Sequence, residues 1–442
     1  RQRQMCIRDS MKPSLSSCRG RCPIPGGVAI EGTVEVPPSK SLTQRFLNLA
    51  FLARQPVVLV GPLRSDDTEL FAEALSRAGH EVSLDDDAMG LRPGAIPDSG
   101  DLYCGNNGTM LRFLTASLTA TPGLWHLDGS DRLRQRPLGP LVDALCSLGA
   151  RIEYLEQEGF APLRISGGTL EGGCAEIDAR QSSQFASAIL MAATGAKKPV
   201  ELRVRSLASA PYVDLTLDTL ERFQATIDSP DESTWKISPG SLQGGEWTME
   251  GDYSAAAYPA AAAALAGGSV RLHGVSPDSK QGDRKFMQVL ARMGARVEWH
   301  SGVLQVSGTS TLRSIEVDLA DMPDQVPTLA ALAPFASGTT SIENVPHLRI
   351  KESDRLAAMS TELRRLGADL VELPDGLKIR GCWAEGPVPA GETEVETYGD
   401  HRIAMSLALC GLRRPGVIVK DPEVVAKSYP GFWRDLEGLI AG

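Results

Sequence analysis

Apolar and polar positions along the chain follow two interleaved patterns. The first is a short polar start followed by an apolar, often Ala-rich stretch without a polar face. Its six copies recur at intervals of about 65 to 75 residues and begin at Ser39, Asn106, Ser182, Gly251, Asp324 and Gly399. A helix that is apolar nearly all round has to be buried. This pattern therefore predicts six buried helices.

The second pattern is an amphipathic helix that ends at a glycine and is followed by a strand. Its clear copies read ALSRAGHEVSL, ALCSLGARIEYL, VLARMGARVEWH and ELRRLGADLVEL. Their glycines, Gly79, Gly149, Gly294 and Gly367, occupy the position after a helix that favours positive φ, and a fifth copy carries Gln224 there. Together the two series predict an α/β protein of six repeated units, arranged as two domains of three units each.

Composition narrows the classes of function. The 442 residues include 45 Lys and Arg against 55 Asp and Glu, a net charge of −10, which is the reverse of a nucleic-acid-binding footprint. No stretch reaches the ~20 apolar residues of a membrane helix, because the Ala-rich run after Tyr253 is short and contains Pro259. We expect a soluble protein without nucleic-acid or membrane partners.

The eight cysteines are scattered along the chain, which favours a reducing, cytoplasmic compartment. Cys18 and Cys22 have no Cys or His pair downstream at zinc-site spacing, so we expect no metal there. Both lie in residues 1–27, which are rich in Arg, Ser and Pro and lack periodicity. We expect this segment to be a disordered or non-native leader. It would be either upstream read-through before a true start at Met11 or a transit-like segment, which would indicate a plastid.

The starts of the six buried helices share small polar and charged side chains. If the helices point the same way within each domain, their N-termini meet, and their partial positive charges favour an anion. Arginine and lysine are concentrated in nearby loops, including DRLRQRP and LRIKESDR, and Arg binds carboxylate or phosphate with two parallel hydrogen bonds. The sequence predicts a phosphate or carboxylate pocket, although each start taken singly also fits an ordinary helix cap.

Asp324, Glu352 and His401 are candidate acids and bases in these segments. A carboxylate beside several cations stays ionised and can accept a proton, whereas one shielded from water has a raised pKa and can donate one. The sequence does not assign these environments, and His401 fits a structural role as well as a catalytic one.

Eleven motifs occur in the order and approximate spacing of the 5-enolpyruvylshikimate-3-phosphate synthase family. They are PSKSLTQR, GNNGTMLRF, RQRPLGPLVDAL, SSQF, SAPYVDLT, EGDYSAAAY, QGD, MPD, LRIKESDR, YGDHRIAM and AKSYPGFW. The resemblance covers about residues 28–440. It implies a two-domain enolpyruvyl transferase fold, each domain having three βαβαββ units around buried parallel helices, an inside-out α/β barrel. Residues 39–251 would form one domain, and residues 28–38 plus 252–442 the other, with hinges at both crossovers.

The resemblance also implies the reaction, which is transfer of the enolpyruvyl group of phosphoenolpyruvate to the 5-hydroxyl of shikimate 3-phosphate. Phosphate is released, no metal or organic cofactor is needed, and the enzyme is a monomer of the route to aromatic amino acids. Carried over by motif, the shikimate 3-phosphate contacts are Lys40, Ser41, Arg45, Ser182, Ser183, Gln184, Ser209, Tyr212, Asp324, His347 and Lys351. The phosphoenolpyruvate contacts are Lys40, Gly108, Arg136, Gln184, Arg355, Arg402 and Lys427. Asp324 is the expected base at the hydroxyl, and Glu352, with Lys40 nearby, is the expected proton donor to C3; His401 completes the catalytic candidates.

Three positions depart from the commoner family pattern. Asn107 precedes Gly108 where Ala is usual, Phe113 replaces a frequent Pro, and His347 stands where many members have Asn. These departures leave the His347 contact open. Because Gly108 has no side chain, we expect the family's glyphosate pocket to be open and the enzyme to be inhibited by glyphosate.

Three other interpretations were weighed against these motifs. The sister transferase that acts on UDP-N-acetylglucosamine uses a loop cysteine, and DRLRQRPLG contains none. A non-catalytic anion-binding relative would be favoured by loss of Lys40, Asp324, Glu352 or Arg402, yet all four are present. A nucleotide phosphotransferase would need a GxxxxGK[ST] loop, which does not occur.

Overall fold

The computed structural model describes residues 14–85, 87–309 and 311–441. Its strands are, in chain order, β1 (Arg21–Pro23), β2 (Ile30–Glu35), β3 (Val57–Val60), β4 (His80–Leu84), β5 (Ala88–Pro93), β6 (Ser99–Tyr103), β7 (Leu124–Asp128), β8 (Arg151–Tyr154), β9 (Leu163–Ser166), β10 (Gly173–Asp178), β11 (Val200–Arg205), β12 (Thr226–Asp231), β13 (Thr234–Ser238), β14 (Gly245–Thr248), β15 (Gly268–His273), β16 (Arg296–His300), β17 (Val303–Ser307), β18 (Leu312–Arg313), β19 (Glu316–Asp318), β20 (Ala336–Ser337), β21 (Thr339–Glu343), β22 (Leu370–Leu373), β23 (Gly376–Arg380), β24 (Thr393–Val395) and β25 (Val417–Lys420). The helices are α1 (Lys40–Ala53), α2 (Asp66–Arg77), α3 (Gly108–Ala120), α4 (Asp131–Arg134), α5 (Gly139–Ser147), α6 (Gln184–Ala192), α7 (Pro211–Arg222), α8 (Tyr253–Ala266), α9 (Phe286–Arg292), α10 (Val326–Leu332), α11 (Arg355–Arg365), α12 (Cys382–Glu385), α13 (His401–Arg413) and α14 (Phe432–Ala441).

One sheet topology recurs around the molecule. In five of the sheets a parallel pair of strands is followed by an antiparallel hairpin. Their strand orders are β14-β3-β5-β4, β6-β7-β9-β8, β10-β11-β13-β12, β2-β15-β17-β16 and β19-β21-β23-β22. A sixth sheet, β24-β25-β1, has the same parallel pair, with β1 in the antiparallel place beside β25. The predicted α/β fold of six repeated units is confirmed.

The six helices predicted from the first pattern are α1, α3, α6, α8, α10 and α13. Several are capped by the polar residue that marked their start: Ser39 Oγ accepts from Leu42 N, and Asn107 Oδ1 accepts from Met110 N. Their side chains are buried almost without a break. Within the part of the chain that the structure describes, no helix is long and apolar enough to cross a membrane.

The amphipathic helices of the second pattern are α2, α5, α7, α9 and α11. The glycines predicted to follow them have positive φ, for example 97° at Gly79 and 93° at Gly367. Gln224 follows α7 and has a φ of 57°, so the chain takes the same left-handed turn there without a glycine. Because a Cβ disfavours this region, that copy is strained where the other four are not.

Buried apolar side chains form two separate clusters. The first core is built from residues 42–249, and the second from residues 15–36 and 253–439. The chain passes between them at two adjacent places, where Ser39 N donates to Glu250 O at 2.8 Å and Asp252 N donates to Pro37 O at 2.8 Å. The two crossovers therefore run side by side.

Residues 14–27 pack against the second core, so the disorder expected for this stretch is wrong. Strand β1 pairs with β25, with Cys22 opposite Val419, and Cys22 and Leu15 are fully buried in the second core. The segment lacks periodicity because a three-residue strand is too short to show one. The rest of the expected leader, residues 1–13, lies outside the described residues.

Candidate active site

A cleft lies where the six buried helices begin. It is lined by residues of every one of these helix starts, drawn from both cores. Of the residues predicted from the sequence, the lining includes Lys40, Ser41, Arg45, Gly108, Arg136, Ser182, Ser183, Gln184, Ser209, Tyr212, Asp324, His347, Lys351, Glu352, Arg355, His401 and Arg402. Lys427 lies just behind the lining, and its Nζ is 3.1 Å from Asp67 Oδ1, a carboxylate that does line the cleft.

Asp324 is held between two arginines of the second core. Its Oδ1 accepts from Arg355 at 2.8 Å and its Oδ2 from Arg402 at 2.7 Å. Burial by itself would raise the pKa of Asp324, but the charges of Arg402 and Arg355 outweigh burial and hold that pKa well below its usual value. Asp324 is therefore ionised at neutral pH and can accept a proton.

Glu352 is also ionised at neutral pH. Its Oε2 accepts from Arg355 at 2.9 Å, and its Oε1 is 3.7 Å from Arg136 NH1. Burial favours the neutral acid, but Arg355 and then Arg136 lower the pKa of Glu352 well below its usual value. A carboxylate in this state cannot donate a proton until anions engage its cationic neighbours.

Other ionisable groups in the cleft are shifted toward their neutral forms by burial. Burial, with some help from Arg136, lowers the pKa of Lys351 to about 8. Burial and then Lys351 lower the pKa of His347 to about 4. Burial and then the charge of Lys40 lower the pKa of His401 far below its usual value. Both histidines are thus neutral at pH 7 and offer a ring nitrogen as donor or acceptor.

The first core supplies a second wall that is arranged by hydrogen bonds. Arg45 donates to Thr216 Oγ1, Ser41 O and Tyr212 O at 2.8 to 2.9 Å, and its guanidinium lies over the ring of Phe113 at 5.6 Å. The Phe that replaces the common Pro therefore supports a predicted anion contact through a cation–π interaction.

Arg136 packs directly against Gly108, and both belong to the first core. Its guanidinium is almost fully buried, and among the described residues Nε and NH1 have no hydrogen-bond partner. A Cβ on Gly108 would lie only 2.4 Å from Arg136 NH1. Buried N–H groups without partners are costly unless a ligand accepts from them. We call Gly108 and the Arg136 guanidinium beside it the cationic notch, and its unpartnered N–H groups are suited to an oxyanion.

Asp67 joins lysines from the two cores. Its Oδ2 is 3.3 Å from Lys40 Nζ, and its Oδ1 is 3.1 Å from Lys427 Nζ, which also donates to Asn106 O at 2.8 Å. Asn107, the unusual neighbour of Gly108, donates from Nδ2 to Asp67 O at 2.9 Å. This hydrogen bond joins the start of α3 to the first turn of α2, which contains Asp67.

Sequence reasoning missed Asp67 and Asp252 as lining residues. Asp252 accepts from the first N–H of α1 at Lys40 and from Ser254 N in α8, so one carboxylate orients both helix starts. Asp67 lies in the run SDDTEL, which reads as the ordinary acidic first turn of an exposed helix. Asp252, within GDYSAAAY, could have been found because it starts one of the six apolar helices.

Comparisons with known proteins agree with this architecture. A family model described as EPSP synthase (3-phosphoshikimate 1-carboxyvinyltransferase) matches residues 24–436. The 3-phosphoshikimate 1-carboxyvinyltransferase of Syntrophobacter fumaroxidans is 45% identical over 417 residues, 93% of this chain and 97% of the relative. The one from Pseudoalteromonas atlantica is 39% identical over 423 residues, again 93% of this chain and 97% of the relative. A solved EPSP synthase structure from Acinetobacter baumannii has a TM-score of 0.79 at 27% identity, covering 95% of this chain and 98% of that one. With matches of this extent, the chain belongs to the EPSP synthase family.

Proposed function

We propose that the chain transfers the enolpyruvyl group of phosphoenolpyruvate to the 5-hydroxyl of shikimate 3-phosphate and releases phosphate. The observation that carries this proposal is the cleft itself, in which cations and six helix starts from two cores surround two ionised carboxylates. Two polyanionic substrates need this many positive charges when water is expelled around them. The family name of the chain's relatives supports the same reaction.

Shikimate 3-phosphate would bind along the first-core wall. The proposed contacts are Lys40, Ser41, Arg45, Ser182, Ser183, Gln184, Ser209, Tyr212, Asp324, His347 and Lys351. Asp324 is the proposed base. Arg402 and Arg355 keep it ionised, and when phosphoenolpyruvate engages those two arginines the pKa of Asp324 rises, so that it can take the 5-hydroxyl proton as the oxygen attacks C2.

Phosphoenolpyruvate would occupy the cationic notch. The proposed contacts are Lys40, Gly108, Arg136, Gln184, Arg355, Arg402 and Lys427. Its carboxylate and phosphate would pair with cations that now lower the pKa of Glu352, so binding raises that pKa and lets Glu352 protonate C3. The tetrahedral intermediate then loses phosphate and a proton from C3. His401 is kept as a further catalytic candidate beside Lys40.

The two cores would act as closing domains, residues 39–251 against residues 28–38 plus 252–442. The side-by-side crossovers support a hinge, because only two backbone connections join the cores there. We also propose a cytoplasmic monomer, a choice supported by the net charge of −10 and by free cysteines among the described residues.

The direct test is phosphate release with phosphoenolpyruvate and shikimate 3-phosphate, beside a parallel reaction with UDP-N-acetylglucosamine. Turnover only with shikimate 3-phosphate supports the proposal. Turnover with the nucleotide sugar would assign the sister activity, and silence from a folded protein that binds either ligand would mean a non-catalytic relative.

Two substitutions test the site within that assay. Lys40→Ala and Arg136→Ala should each lose most of the activity while the melting temperature stays close to that of the wild type, since both side chains face the cleft. Full activity in either variant would contradict the proposed contacts.

A further inference from the structure

Arg132 reaches from the first core to the second beside the cleft. It lies in α4, whose Leu133 is fully buried and fixes the short helix to the first core. Its Nε donates to Glu352 O at 2.9 Å, and its NH2 donates to Lys351 O at 2.8 Å. One guanidinium thus binds two consecutive carbonyls of a segment that belongs to the other core.

That segment carries two of the proposed site residues. It lies between the 3-10 turn Pro346–Ile350 and the start of α11, so it has no regular secondary structure of its own. Among residues 14–85, 87–309 and 311–441, no other donor bonds the Lys351 or Glu352 carbonyl. The two hydrogen bonds hold the carbonyls of Lys351 and Glu352, and therefore the backbone at these two residues. The backbone in turn orients the two side chains toward the cleft.

We propose that Arg132 is a positioning residue that fastens the Lys351–Glu352 segment when the two cores close, although Arg132 does not itself line the cleft. This inference rests on the proposed function. The planar fork of Arg suits two carbonyls at once, whereas Lys acts as a single point of charge. Closure would then orient the proposed proton donor and the proposed shikimate 3-phosphate lysine in the same step.

The neighbouring arginine provides a matched control. Arg134 lies in the same short helix, but it donates to Asp128 at 2.6 and 2.9 Å and to Glu156 at 2.9 Å, all within the first core. It is partly exposed, as Arg132 is, and makes no bond across the cleft. Loss of Arg134 therefore removes a cation and ion pairs from α4 without touching the segment.

The experiment compares the full chain with Arg132→Met, Arg132→Lys and Arg134→Met. Steady-state kinetics give kcat and the KM of each substrate from phosphate release. Hydrogen exchange reports the protection of amides 347–354, first for the protein alone and then with phosphoenolpyruvate and shikimate 3-phosphate brought to equilibrium. A merely structural arginine would not change the part of that protection that depends on substrates.

We expect Arg132→Met to lower kcat about tenfold to a hundredfold, which is the loss of two charge-assisted hydrogen bonds made in the closed state. The KM of shikimate 3-phosphate should change less than kcat, and the substrate-dependent protection of amides 347–354 should fall. Arg132→Lys should recover part of the kcat and part of the substrate-dependent protection. Arg134→Met should have a kcat within about twofold of the wild type.

Three results would overturn the proposal. The first is that Arg132→Met and Arg134→Met have equal kinetics. The second is that Arg132→Met loses activity but keeps its substrate-dependent protection. The third is that both Arg132 variants fail to fold while Arg134→Met folds. Failure of the proposed function looks different, because the wild type itself would then release no phosphate from these substrates.

Discussion

Substituting Gly108 by alanine tests the cationic notch with a single methyl group. The added Cβ would lie 2.4, 2.5 and 2.7 Å from NH1, Cζ and NH2 of Arg136. Ordinary contacts of a Cβ begin at 3.4 Å, so the guanidinium has to move by about 1 Å. Arg136 is buried and cannot swing into solvent, which means that the displacement is transmitted to any anion that it holds.

A misplacement of about 1 Å at a reacting centre costs about a hundredfold in rate, equivalent to about 2.7 kcal/mol of transition-state stabilisation. We expect kcat/KM for phosphoenolpyruvate to fall by about that factor in Gly108→Ala. The KM of shikimate 3-phosphate should change less, because neither Gly108 nor Arg136 is among its proposed contacts. Thermal unfolding should show a loss of stability of about 1 to 3 kcal/mol, because an extra methyl group overpacks a filled site.

The matched control is Gly139→Ala at the start of α5, where the nearest atom to a new Cβ is Gly159 Cα at 3.7 Å. It should have wild-type kinetics in the same phosphate-release assay. If Gly108→Ala keeps the wild-type kcat/KM for phosphoenolpyruvate, Arg136 does not hold that substrate and the notch is wrongly assigned.

Three further predictions follow from other parts of the structure. Asp67→Asn removes the negative charge between Lys40 and Lys427, so we expect kcat/KM to fall about tenfold. Asp67→Glu should recover part of that loss. Unchanged kinetics in Asp67→Asn would show that the two lysines do not need the carboxylate between them. Because burial lowers the pKa of Lys351 to about 8, shikimate 3-phosphate should bind more weakly as the pH rises through 8, and Lys351→Arg should remove that dependence in calorimetric titrations. Leu15→Ala should lower the free energy of unfolding by about 2 kcal/mol in urea denaturation; no change would mean that residues 14–27 do not pack on the second core.

The repeated units could be predicted because their signals are local. An apolar helix with a polar start, such as the one after Ser39, is set by side chains within one or two turns. Gly79 and its counterparts mark helix ends because positive φ is costly for other residues. The short strand β1 escaped this reasoning, since three residues paired with a partner 400 positions away leave no periodic trace.

The sequence predicted most of the residues that line the cleft, but it did not predict their protonation states. Glu352 was expected to be a proton donor, yet two arginines hold its pKa low until ligands bind. Asp67 carried no signal, because its partner Lys427 is 360 residues away. His347 could be flagged as unusual, but only burial beside Lys351 shows that its ring is neutral.

By itself, the sequence determined the six repeated units, the two families of helices and the concentration of cations at helix starts, because each follows from propensity, periodicity and capping over a few residues. Tertiary structure decided which charges meet, how far each pKa moves and which residues join the two cores. Those quantities depend on distances of 3 to 4 Å between groups far apart in the chain and on the water removed around them. Arg132 illustrates the difference, since its sequence places it in a basic run and only the fold brings it to the carbonyls of Lys351 and Glu352.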